Sequence, residues 1–111
     1  MSELVRRLDE KALALTARVT AEMYTDPFWL ERFGERGKRF TVEDGHFHLS
    51  HLSQALVAGD VEVLAGYARW LRTLLTSRGM CSLHVAENFE RLARAIADEV
   101  EDSAAAVEYL V

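Results

Sequence analysis

The sequence predicts an all-α protein, a four-helix bundle with one or two additional short helices, and three observations carry that prediction. Apolar residues recur at intervals of three and four along most of the chain, and no stretch shows the two-residue alternation of a half-buried strand. The breaks between periodic segments are short, so successive long helices are expected to pack antiparallel.

Leu4, Leu8, Ala12, Leu15, Val19 and Met23 form one stripe of a first helix of about five turns. Asp26-Pro27 ends it and opens a short second helix, with Asp26 as the cap and Pro27 at the first position, where a missing N–H costs nothing. Gly34 is read as its terminator, so this helix covers Pro27 to Phe33. Between Gly34 and Thr41, the charges Glu35, Arg36, Lys38 and Arg39, with Glu31 and Arg32 just before, read as a solvated loop.

Thr41 followed by Asp44 resembles a capping box and opens a third helix that runs to Gly59. Asp60 caps a fourth, whose inner stripe is Leu64, Tyr67, Leu71, Leu74 and Leu75, widened by Val63 and Trp70 and stopped by Gly79. Ser82 caps a fifth, which buries Val85, Phe89, Leu92, Ala93, Ile96 and Val100. Asp102 or Ser103 caps a last short segment with Val107, Leu110 and Val111, an apolar end that covers the bundle or forms a seam with a neighbour.

The 111 residues are 50% hydrophobic and 28% charged, enough for one core and too few for two, so residues 1–111 are read as a single domain. The net charge of -5 argues against non-specific nucleic-acid binding, which needs Lys and Arg to neutralise many phosphates. A single cysteine, Cys81, leaves no intrachain disulfide and suits a reducing compartment. With charges through the first eleven residues, neither a signal peptide nor a membrane span is expected, and the cytoplasm is the expected location.

Chemistry-bearing residues are densest from Glu43 to His51, where His46, His48 and His51 stand close in sequence. At roughly 100° per residue, His48 falls near the centre of the buried stripe, His51 at its margin and His46 outside it, so the three form no single cluster. His48 and His51, three apart, are the candidate metal ligands, and Asp44 is placed to fix the His48 tautomer. The plainer reading of His48 is a core histidine with one satisfied hydrogen bond.

Glu43-x-x-His46 and His84-x-x-Glu87 resemble halves of a di-iron carboxylate site, but both histidines leave their apolar stripes. A cofactor such as haem would need His48 as its ligand with Tyr67 and Trp70 in the pocket wall, although aromatic residues at this spacing usually belong to a core. A phosphotransfer histidine lacks the expected Leu-Lys-Gly after it, and neither a phosphate loop nor a nucleophile elbow is present. Cys81 at a helix start is read as a small capping or buried thiol, with redox sensing as the alternative. Phe47 projects opposite the inner stripe, and Trp29 shares a single helical turn with Phe28 and Leu30, so Phe47 and Trp29 are the candidate partner-binding residues.

The stretch Glu43-Asp44-x3-His48-Leu49-x2-Leu52-x2-Ala55-Leu56, followed by Tyr67-x2-Trp70-Leu71-x2-Leu74 and Gly79, resembles helical modules found beside cobalamin-binding or anti-sigma-antagonist-like domains in bacterial regulators. The resemblance covers residues 27–96. It implies a sensory or regulatory bundle that transmits a state to a partner, with His48 and Trp70 as the matching polar and aromatic positions. The Asp-x-His-x-x-Gly cobalamin ligand motif is absent, so cobalamin binding does not carry over.

The expected function is therefore a non-enzymatic regulatory or sensory protein-interaction bundle of bacterial signalling, a homodimer, with no membrane or nucleic-acid partner and no cofactor. The alternative is a ligand-sensing bundle that holds a metal or haem through His48.

Overall fold

Helical periodicity becomes helix throughout the computed structural model, which describes residues 2–77 and 82–110. The elements are α1 (Ser2–Met23), α2 (Pro27–Ala58), α3 (Glu62–Ser77), α4 (Ser82–Glu99) and α5 (Ala104–Leu110), with no strand among the described residues. Helix α1 packs on α2 and α4, α3 on α2 and α4, and α5 on α4 and α2. Gly79, Cys81 and Val111, which the sequence singles out as a helix stop, a capping thiol and an apolar end, lie outside the described residues.

The apolar stripes do what their spacing requires. Leu4, Leu8, Leu15, Val19 and Met23 of α1 are buried, and so are Val85, Phe89, Leu92, Ala93 and Ile96 of α4 with Val100 just beyond it. They share one core with Leu49, Leu52, Ala55 and Leu56 of α2 and with Leu64, Tyr67, Leu71 and Leu75 of α3. At the edge of that core, Arg18 of α1 donates to Glu22 on its own helix and to Asp98 of α4, at 3.1 and 2.7 Å. Leu110 and Ala106 of α5 are buried against the same body, so the apolar C-terminal segment covers its own chain.

Caps are equally legible. Asp26 accepts a hydrogen bond from the Phe28 amide at 3.0 Å with Pro27 behind it, and Asp60 accepts from the Glu62 amide at 2.9 Å. Gly59 takes the left-handed conformation (φ 66°, ψ 28°) while the Asp60 amide reaches back to the Ala55 carbonyl, which satisfies the last carbonyls of α2. Asp102, also left-handed at φ 53°, turns the chain so that the Ser103 carbonyl accepts the first bond of α5 from Val107.

Two expectations need correction. Gly34 does not end a short helix before a loop. It bends α2, with φ 66° and ψ -168°, and the chain is helical again at once, so the charged stretch expected as a loop is helix. Glu, Arg and Lys are good helix formers, and the cations lie over rings: Arg36 over Phe40 at 5.4 Å and Lys38 over Tyr24 at 5.7 Å. Thr41 is accordingly no cap. Its hydroxyl donates to the Gly37 carbonyl one turn back, at 2.9 Å. The second correction concerns Trp70, which is exposed rather than part of the inner stripe of α3.

Helices α1 and α2 approach closely where α2 carries Gly45. A Cβ placed there would lie 2.8 Å from Thr16 Cγ2 and 3.2 Å from Thr16 Cβ. Thr16 cannot swing away cheaply, because its hydroxyl is bonded to the Ala12 carbonyl at 2.9 Å and its side chain is short and branched. Gly45→Ala is therefore expected to lower stability by about 1–3 kcal/mol from overpacking, less about 1 kcal/mol of helix propensity. Urea unfolding of Gly45→Ala alone and in a Thr16→Ser background checks this, since removing Cγ2 should restore most of the loss.

Candidate functional site

The site is built around one buried imidazole. His48, on the inner face of α2, is only 2% exposed, and its Nδ1 is 2.7 Å from the hydroxyl of Tyr67 on α3. Burial, with the nearby His51 adding to it, pushes the His48 pKa down to about 3, so the ring is neutral at physiological pH. Burial, and then the negative charge of Asp44, pushes the Tyr67 phenol well above its ordinary value, so it also stays neutral. The phenol is the better donor of the two, which assigns Tyr67 O–H as donating to Nδ1 and leaves the ring proton on Nε2.

Other rings fix this pair in place. Phe89 of α4 meets His48 edge to face at a centroid separation of 5.1 Å. His51, one turn further along α2, stacks on the Tyr67 ring at 3.8 Å with 10° between the planes, and its Nδ1–H donates to the Phe47 carbonyl at 2.8 Å. The expected helper of the His48 tautomer was Asp44. Nδ1 is bonded instead to Tyr67, and the negative charge of Asp44 acts on the Tyr67 phenol.

Two largely apolar hollows adjoin the pair, one lined by His48 and the other by Tyr67, with Asp44 and Leu71 in both walls. The inner one, a cavity of about 150 Å³, is lined by His48 together with Trp29, Phe33 and Phe40 of α2, Leu71 and Leu75 of α3, and Val85 and Asn88 of α4. The outer one is a groove of about 600 Å³ between α2 and α3, lined by Phe47 and His51 from α2 and by Val63, Tyr67, Trp70 and Leu74 from α3. Phe47 and Trp70 are 60% and 59% exposed there.

Against these positions the expected site residues separate cleanly. Of the cofactor set, His48 and Tyr67 are brought into contact, whereas Trp70 stands on the groove side with its ring 6.1 Å from that of Tyr67. His48 and His51, the metal pair, both touch Tyr67. Among the described residues, however, no group of three or more His, Cys, Asp or Glu side chains is placed to hold a metal. His46 is exposed, as expected from its helical phase, and so is Glu43.

Phe47 is exposed as a partner-binding residue needs to be, but Trp29 is not. At 4% exposure it belongs to the core, stacked on Phe33 at 5.7 Å and edge-on to His84 at 4.7 Å. The bend at Gly34 explains the difference: it lets the Pro27–Phe33 turn direct Trp29 inward, while Phe28 and Leu30 take the solvent side.

Asn88 went unnoticed in the sequence. It stands three residues after Val85 and four before Leu92, on the apolar stripe of α4, and that phase was the available signal for a buried amide. A comparison of the chain with protein-family models, curated proteins and solved structures finds no match.

Proposed function

We propose that this chain is a non-enzymatic regulatory or sensory module of bacterial signalling, a four-helix bundle of α1–α4 with α5 as a short addition, that acts by contact with a second copy of itself. The observation that supports this is the α2–α3 groove, where Phe47 and Trp70 stand exposed on a largely apolar face that also carries Asp44 and His51. Large aromatic rings left in water beside a concave apolar surface are what interface centres are made of. Because the face carries both a projecting ring and a groove, it can be its own complement across a two-fold axis.

The remaining features fit that reading. The net charge of -5 disfavours nucleic acid as the partner, and no helix among the described residues is long and apolar enough to cross a membrane. The cytoplasm is the location in keeping with one cysteine in the whole chain. The resemblance to helical modules of bacterial regulators favours a signalling role.

Sedimentation equilibrium of the full chain tests the proposal. A mass twice the 12.6 kDa of one chain is expected, falling to the single-chain value when Phe47→Ser and Trp70→Ser are combined. Exposed substitutions of this kind should change stability by no more than about 0.5 kcal/mol each, so loss of the dimer would not reflect unfolding. A wild-type monomer, or a dimer indifferent to both changes, overturns the proposal.

The alternative, a metal or haem held through His48, has less behind it. The pair His48 and His51 lacks a third ligand among the described residues. The cavity beside His48, about 150 Å³, is half the roughly 300 Å³ at which pockets for drug-sized molecules begin, and a macrocycle needs more.

A further inference from the structure

We infer that the inner cavity is a binding site for a small, uncharged, single-ring aromatic molecule that carries a hydrogen-bond acceptor. Apart from Asp44 and Leu71, which line both, the cavity wall is made by residues that do not line the exposed groove, so the inference stands whether or not the chain dimerises. Size comes first. A cavity of about 150 Å³ matches the space in which a dry protein interior accommodates a benzene-sized ring. Its wall is apolar and largely aromatic, with Trp29, Phe33 and Phe40 from α2 and Leu71, Leu75 and Val85 from α3 and α4, which offers ring faces and edges to a flat guest.

The polar requirement comes from Asn88. Its side chain is nine-tenths buried, and the hydrogen bond its amide nitrogen donates goes to Met23 Sδ at 3.5 Å. A thioether is a weak acceptor, and a carboxamide has two N–H groups to place, so this buried amide has donor capacity that the protein leaves poorly used. A carbonyl oxygen on a ring seated in the cavity would take it.

Charge sets the last condition. No Lys or Arg is among the described lining residues, His48 stays neutral, and the Asp44 carboxylate, whose negative charge is felt by Tyr67, lines the cavity together with the His84 imidazole. An anion would meet the Asp44 carboxylate in the wall with no Lys or Arg among the described lining residues, which favours neutral rings over carboxylates and phosphates.

Titration calorimetry and protein-observed NMR with benzamide, benzoate and benzene test this on the full chain. Benzamide is expected to bind saturably, with a dissociation constant of about 1 mM or below, and to shift signals of Trp29 and Asn88. Benzoate should bind at least about tenfold more weakly. Asn88→Leu should cost benzamide about tenfold while sparing benzene, and Leu75→Phe, which fills the cavity, should abolish binding of both. If either variant fails to fold, the three probes on the wild-type chain still decide. No saturable benzamide binding, benzoate binding as tightly as benzamide, or benzamide binding unchanged by Leu75→Phe each overturns the inference.

Discussion

His48→Ala is expected to destabilise the chain by about 2–5 kcal/mol, read as a fall in the urea midpoint at an unchanged slope. Two losses combine. The imidazole fills space against Phe89 and Tyr67, and its removal leaves a void that the surrounding helices close only in part. It also strips the Tyr67 hydroxyl, a buried donor, of the acceptor 2.7 Å away. Tyr67→Phe removes only the second of these and should cost about 1–3 kcal/mol by leaving Nδ1 unpaired. Because the two residues share one hydrogen bond, the double variant should lose less than the sum of the singles. The same His48→Ala protein separates the functional readings: a stability loss with no change of bound mass in a native mass spectrum keeps His48 structural, and disappearance of a bound species would make it a ligand.

Acidification from pH 7 to pH 5 is expected to cost the fold about 2 kcal/mol through His48 alone. In the unfolded chain this imidazole takes up a proton near its ordinary value of 6.5, whereas in the folded chain it does so only near 3. Between those limits the unfolded state binds the extra proton, so the stability held above pH 6.5 is lost progressively as pH falls toward 3. His48→Gln keeps a hydrogen-bonding group beside Tyr67 without a titration, and its stability should fall by about 2 kcal/mol less over the same interval. Equal falls in the two proteins would mean that His48 is already charged at pH 5.

The parts of the fold that were legible rest on rules acting within one or two turns. The α1 and α4 stripes, the Asp26-Pro27 start and the Gly59-Asp60 corner depend on phase and local hydrogen bonds, which neighbouring residues supply. Gly34 misled because a glycine permits a stop without enforcing one, and the helix formers after it resumed the helix. Trp29 followed from that error, since its direction depends on a bend that spacing does not reveal. Within the site, the burial of His48 could be read from its phase. Its partner could not, because Tyr67 comes from another helix, and whether that residue or Asp44 reaches Nδ1 depends on how α2 and α3 are set against each other.

The contact of Gly45 with Thr16 also bears on how such a sequence can drift. The two positions occupy one shared volume at the α1–α2 crossing, so mutation is constrained on their sum rather than on either residue alone. A side chain can be gained at 45 only where one is shortened at 16. In any lineage that keeps this crossing, the two positions should therefore change together, and a variant carrying only the first step should be rare.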